Sequence, residues 1–94
     1  MTYPAILKGG EKMAEVWVQL PNGERLQLKY FTWTGRLRIY YEGKEMAFLG
    51  TTGGIAVFEV GSCKVEVESR LTIWGTCEVT IRADGNIIFK RRFL

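Results

Sequence analysis

The chain has 94 residues, of which 47% are hydrophobic, 13% aromatic and 24% charged. This length fits a single domain, and the apolar share is too high for a disordered chain. Thirteen Lys and Arg against ten Asp and Glu give a formal net charge of +3, a smaller excess than dedicated nucleic-acid binders usually carry.

Residues 1–12 show no sustained hydrophobic period and contain Pro4, Gly9 and Gly10, so they are predicted to form an N-terminal arm. From Met13 onward, apolar and polar residues alternate with the period of two that is typical of β-strands. The chain is therefore interpreted as an arm over 1–12 and one all-β domain over 13–94. The inward positions of its strands are predicted to be Val16, Val18, Leu20, Leu26, Leu28, Tyr30, Leu37, Ile39, Tyr41, Met46, Phe48, Ala56, Phe58, Val60, Cys63, Val65, Val67, Leu71, Ile73, Cys77, Val79, Ile81, Ile87 and Phe89.

The first hairpin loop is predicted at Pro21-Asn22-Gly23. Pro21 sets the φ of a type I turn, and Gly23 supplies the left-handed residue of a G1 bulge. This three-residue loop pairs Val18 with Leu26, so the apolar faces of the two strands coincide.

The next hairpin is predicted at Glu42-Gly43. A two-residue loop there pairs Ile39 with Met46 and keeps the apolar side chains on one face. The composition of Thr51-Thr52-Gly53-Gly54 indicates another loop.

A hairpin centred near Arg70 would set Cys63 opposite Cys77. Two free thiols buried in the core are the favoured interpretation, and a reactive thiol or a strained cross-strand disulfide is the alternative.

The last hairpin is predicted at Ala83-Asp84-Gly85, where a three-residue loop pairs Ile81 with Ile87. One-sided alternation in every strand indicates sheets with one buried and one wet face. The predicted fold is therefore a small antiparallel β-sandwich, or a partly closed barrel, of about seven or eight short hairpin-connected strands.

Residues suited to catalysis are scarce. Histidine, the commonest general base and metal ligand, does not occur in the sequence. Glu66 and Glu68 lie two residues apart and so share a face, as a pair of acid–base carboxylates would, but their phase places them on a solvent face with Lys64 and Arg70. The sequence therefore predicts a protein that is not an enzyme and has no metal site and no cofactor.

No run of about 18 apolar residues occurs, and the first residues lack a charged segment followed by an apolar one. The chain is thus expected to be cytoplasmic, with no membrane span, no secretory signal and no membrane among its partners. An uncovered edge strand leaves a homodimer open.

Cations are concentrated on two strands that are predicted to be neighbours. Arg25 and Lys29 share the outer face of one, and Arg36 and Arg38 that of the next, together with Tyr40. Cations beside aromatic platforms can bind single-stranded nucleic acid. The favoured interpretation is a solvated surface that discourages edge-to-edge aggregation.

Tryptophan marks a possible partner surface. Trp17 and Trp74 alternate out of step with the apolar faces of their strands, so they are expected to be partly exposed, and Trp33 falls in a loop. Exposed tryptophan, here with Tyr40, is typical of protein-binding surfaces. The alternative is a second, minor core, or packing of the N-terminal arm over Trp17.

The order of elements resembles that of a known family. The segments that carry the likeness are Ala14-Glu15-Val16-Trp17, Pro21-Asn22-Gly23, Gly35-Arg36, Tyr41-Glu42-Gly43-Lys44-Glu45, Phe58-Glu59-Val60-Gly61, Gly75-Thr76-Cys77-Glu78-Val79-Thr80-Ile81 and Asp84-Gly85-Asn86. The succession, over roughly residues 14 to 92, resembles the amino-terminal β-sandwich domain of the Fas apoptotic inhibitory molecule family. The resemblance implies a non-enzymatic antiparallel sandwich that acts through protein–protein contacts. This chain holds one such domain where the family usually has two.

Overall fold

The computed structural model describes residues 13–31, 34–50 and 52–93. These residues form eight antiparallel β-strands. The strands are β1 (Met13–Gln19), β2 (Arg25–Phe31), β3 (Arg36–Tyr41), β4 (Lys44–Leu49), β5 (Gly53–Val60), β6 (Cys63–Leu71), β7 (Cys77–Ala83) and β8 (Asn86–Phe93). The predicted all-β class is confirmed. The arm predicted over 1–12, and Trp33, lie outside the described residues.

Each strand pairs with its neighbours in sequence, in two four-stranded sheets of order β1-β2-β3-β4 and β5-β6-β7-β8. The two sheets enclose one hydrophobic core, as expected of a small β-sandwich. The chain passes between the sheets at an isolated bridge from Gly50 to Gly53. The loop predicted over Thr51–Gly54 is shorter than expected, because Gly53 and Gly54 begin β5. β1, β4, β5 and β8 are edge strands, and the homodimer stays a prediction.

The register predicted for the first hairpin is confirmed, with Val18 opposite Leu26. The loop is closed by two backbone hydrogen bonds, from the N–H of Leu20 to the carbonyl of Glu24 (2.7 Å) and from that of Gly23 to the carbonyl of Leu20 (3.0 Å). Asn22 donates from Nδ2 to the carbonyl oxygen of Val60 at 3.0 Å, which ties this turn to the end of β5 in the second sheet.

The prediction for the second hairpin was right about the loop and wrong about the register. Glu42 and Gly43 form a two-residue turn, both with positive φ (50° and 80°). An irregularity between Ile39 and Tyr40 then shifts the pairing, so Ile39 lies opposite Ala47 and not Met46. The irregularity leaves Phe48, predicted to face inward, exposed on the outer face.

The prediction for the last hairpin was also wrong in register. Asp84 and Gly85 form a two-residue turn, with φ of 50° and 88°, where a three-residue loop was expected. A shift between Ile81 and Arg82 then places Ile81 opposite Phe89, while Ile87 lies opposite Arg82 on the outer face. A bulge restores the inward phase that the shorter loop would have lost.

The hairpin predicted at Arg70 does not form. Strand β6 continues through Arg70 to Leu71, the loop covers residues 72–76, and Cys77 lies opposite Leu71 instead of Cys63. Gly75, with φ of 80°, supplies the left-handed residue that Ser69-Arg70-Leu71 lacks. Cys63 begins β6, whereas Cys77, on β7, lies opposite the last residue of β6, and both cysteines are free and buried.

Candidate interaction sites

The outer face of the first sheet, here called the β1–β4 face, carries most of the predicted site residues. β2 and β3 are neighbours as expected, with Lys29 opposite Arg38 and Gln27 opposite Tyr40. Trp17 on β1 lies opposite Gln27, which places it in the same cross-strand row as Tyr40. The structure thus brings together the protein-binding and nucleic-acid-binding candidates Trp17, Tyr40, Arg25, Lys29, Arg36 and Arg38.

Cations stack on aromatic rings along this face. Arg25 lies 5.1 Å from the ring centre of Trp17, and Lys29 lies 4.9 Å from that of Tyr40. The shifted register of β4 turns Phe48 outward, and Cζ of Arg38 lies 4.8 Å from the centre of its ring. Each exposed pair of this kind contributes roughly 0.5–1 kcal/mol. The stacking holds both the long cationic chains and the rings in defined positions.

Carboxylates offset part of the positive charge. Glu15 lies 3.7 Å from Lys29 Nζ, and Glu45 lies 2.9 Å from Arg38 Nη1. The hydrogen bond from the guanidinium of Arg38 to Glu45 raises the pKa of Arg38 above its ordinary value. On the strands of this face, before the turns are counted, four cations against two carboxylates leave a small positive charge, and two of the cations are already ion-paired.

An open groove of about 330 Å³ runs beside Trp17, between the β1–β2 and β3–β4 turns. Its walls include Trp17, Arg25 and Tyr40, together with the carboxylates of Glu24 and Glu42. The hydroxyl of Tyr41 donates to Glu24 at 2.9 Å, and this hydrogen bond raises the pKa of Tyr41. The groove therefore combines an aromatic floor with side chains of both charges.

Trp74 lies at the tip of the β6–β7 hairpin and not beside Trp17. The β1–β2 turn touches the end of β5 where β6 begins, whereas the tip follows the other end of β6. At ~3.3 Å per residue, β6 extends over roughly 26 Å, so the two tryptophans belong to opposite ends of the sandwich.

The tip carries two further exposed apolar side chains that the sequence pattern had assigned to the core. Ile73 and Trp74 are 91% and 81% exposed, and Leu71 is 54% exposed. The loop is closed by backbone bonds between Thr72 and Thr76 (2.8 Å) and between Gly75 and Thr72 (3.1 Å). The Thr72 and Thr76 hydroxyls also meet at 2.7 Å. Gly75, followed by Thr76, was the available signal for this loop.

Two side chains considered above for catalysis are a buried thiol, Cys63, and an ion-paired carboxylate, Glu68. Burial, with the nearby carboxylate of Asp84, raises the pKa of the Cys63 thiol. Glu68 is 3.3 Å from Arg82 Nη1, which matches the salt-bridged outer face predicted for it. Within residues 13–31, 34–50 and 52–93, no group of three or more Cys, Asp and Glu is arranged to hold a metal ion. The same residues include no helix that could cross a membrane.

Comparison with known proteins found no matching family model and no matching curated protein. The resemblance to the Fas apoptotic inhibitory molecule family stays a prediction.

Proposed function

We propose that this protein is a non-catalytic interaction module that binds another protein on the β1–β4 face. The observation that carries the proposal is the groove in which Trp17, Tyr40 and Arg25 lie together. Tryptophan, tyrosine and arginine are the residues that most often dominate the binding energy of protein interfaces. Because the cations already hold these side chains in place, fewer rotamers are lost when a partner binds, and the entropic cost of binding is smaller. The resemblance noted above supports the same class of function.

Side chains of both charges favour a protein over a polyanion as the partner. Glu24 and Glu42 line the groove, so a nucleic-acid backbone passing along it would meet carboxylates as well as arginines. Ring faces that already carry a cation are also less available for stacking with bases. A protein surface with mixed charges would find complementary groups for both signs.

Trp17→Ala is the variant that tests this function, with Trp74→Ala as the matched control at the other end of the molecule. The full chain, as wild type or as either variant, is immobilised and incubated with native lysate. Each protein that it retains is then quantified by mass spectrometry. We expect at least one bound protein to be reduced about tenfold or more by Trp17→Ala and unaffected by Trp74→Ala. Equal retention of every bound protein by wild type and Trp17→Ala would refute a role for the groove.

Single-stranded nucleic acid is the second candidate, favoured by the four cations on two adjacent strands. Affinity for a labelled oligonucleotide should fall with salt at a slope of about −0.7 for each phosphate neutralised. Arg36→Gln should make this slope less steep by about 0.7, whereas Lys64→Gln on the other sheet should leave it unchanged. Lack of binding at low salt would eliminate this candidate.

We also propose a cytoplasmic location. The support is the pair of free thiols, Cys63 and Cys77, because a reducing compartment keeps cysteines in this state.

A further inference from the structure

The β6–β7 tip presents apolar side chains outward on a hydrogen-bonded hairpin. Leu71, Ile73 and Trp74 are exposed at one end of the sandwich, while Thr72 and Thr76 bond to each other through both backbone and side chains. The Thr72 hydroxyl also accepts from the N–H of Trp74 at 3.3 Å. The local structure therefore leaves three apolar side chains in solvent at one hairpin tip, as exposed apolar patches at interaction sites do.

Cations lie directly behind the tip. Arg70, Glu78 and Arg92 form one cross-strand row, and Arg91 is the next residue along β8. The net charge at this end of the second sheet is +2, because three exposed arginines (Arg70, Arg91 and Arg92) are offset by one carboxylate, that of Glu78.

The opposite end of the same sheet has the other sign. Glu59 lies opposite Lys64, and the backbone N–H of Lys64 donates to the Asp84 carboxylate at 3.0 Å. These three residues sum to −1. The sheet is therefore polarised along its strands, with its positive end beside the apolar tip.

We propose that the β6–β7 tip inserts into the surface of an anionic lipid membrane, with the arginines behind it at the level of the phosphates. This inference uses the end of the molecule away from the β1–β4 face and does not depend on the proposed function. It also differs from the sequence-based expectation that membranes are not among the partners.

The spacing of apolar and basic residues suits a bilayer interface. Arg70 precedes Ile73 by three residues, a distance of at most about 10 Å because the chain turns after Leu71. Interfacial segments bury their apolar side chains ~5–10 Å into the boundary between headgroups and acyl chains. Tryptophan favours this boundary because its ring is apolar and its N–H remains hydrated. A convex tip needs no preformed pocket in a fluid surface, whereas a protein partner would have to supply one.

Binding to lipid vesicles tests the proposal. The full chain is mixed with phosphatidylcholine vesicles, with or without 30% phosphatidylserine, and the bound fraction is measured by flotation. We expect binding to the anionic vesicles that Ile73→Ser/Trp74→Ser reduces by more than about tenfold, because the variant removes two large apolar side chains from the inserted tip. The matched control, Ile55→Ser/Val57→Ser, removes two exposed apolar side chains from β5 and should bind as wild type does.

The charge variant isolates the role of the arginines. Arg91→Gln/Arg92→Gln should weaken binding to anionic vesicles by about fivefold per arginine and leave any binding to neutral vesicles unchanged. Brominated lipids should quench the fluorescence of the wild type more than that of Trp74→Phe, which locates the tip in the bilayer without removing its apolar character. Circular dichroism confirms that each variant is folded.

Three results would overturn the proposal. The first is lack of binding to either kind of vesicle, and the second is equal binding to neutral and anionic vesicles. The third is a loss of binding in Ile55→Ser/Val57→Ser as large as that in Ile73→Ser/Trp74→Ser. If the chain binds no vesicles but captures a protein, and this capture depends on Trp74, the tip would be assigned to a protein partner instead.

Discussion

Gly53 begins β5, and replacing it with alanine should destabilise the protein more than the same change at Gly43. Both glycines have left-handed backbones, with φ of 89° and 80°. A Cβ at Gly43 would have no atom within 4 Å, so Gly43→Ala carries only the conformational cost. For an L-residue that cost is roughly 1–2 kcal/mol.

At Gly53 a Cβ would also collide with the backbone carbonyl oxygen of Ser69 on β6. To avoid this collision, the start of β5 must move away from β6 at the point where Gly53 lies opposite Arg70. Loss of one buried or partly buried backbone hydrogen bond adds about 1–3 kcal/mol. Gly53→Ala should therefore cost about 2–5 kcal/mol in total.

Urea and thermal unfolding, followed by circular dichroism, measure the difference between the two variants. For a domain of this size, 1 kcal/mol corresponds to a shift in Tm of ~4–8 °C. We expect a shift of ~4–16 °C for Gly43→Ala and a further ~4–24 °C for Gly53→Ala. Equal shifts for the two variants would refute the reasoning that the contact with Ser69 matters.

Further variants test the link between the sheets and the buried ionisable groups. Asn22→Ala removes the hydrogen bond to the Val60 carbonyl and should lower the free energy of unfolding by about 1 kcal/mol in urea titrations, whereas an unchanged midpoint would show that the link adds nothing. Burial, with a smaller effect of Cys77, raises the pKa of Tyr30 to about 12, so the unfolded state loses its proton first. Stability should thus fall as pH rises from about 10 to 12, and Tyr30→Phe should remove that part of the pH dependence. The raised pKa of Cys63 predicts slow reaction with a thiol reagent at pH 8 until denaturant is added, and rapid labelling of the native protein would contradict its burial.

Alternation alone was enough to predict an all-β fold, because residues two apart must lie on the same face of a strand. The first hairpin was also predictable, since Pro21 and Gly23 select one loop length and therefore one register. The outward positions of Trp17 and Arg25 follow from the same local rule.

Bulges were not predictable from the sequence. The pairing shift in β3–β4 turned Phe48 outward, and the shorter β7–β8 loop turned Ile87 outward, although both fit an inward phase in the sequence. A bulge is decided by how two strands and the opposite sheet pack together, so no local pattern shows where the phase changes. The Arg38–Phe48 contact on the β1–β4 face depends on such a shift.

The sequence by itself determined which residues can form strands and which residues of a regular strand share a face, because backbone geometry dictates the alternation. The tertiary structure decided which aromatic residues share a surface. Trp17 and Tyr40 meet across Gln27, whereas Trp74 lies at the far end of the sandwich beside Ile73. That outcome depends on strand pairing and on the extension of β6 past Arg70, which many weak contacts along the whole sheet decide together.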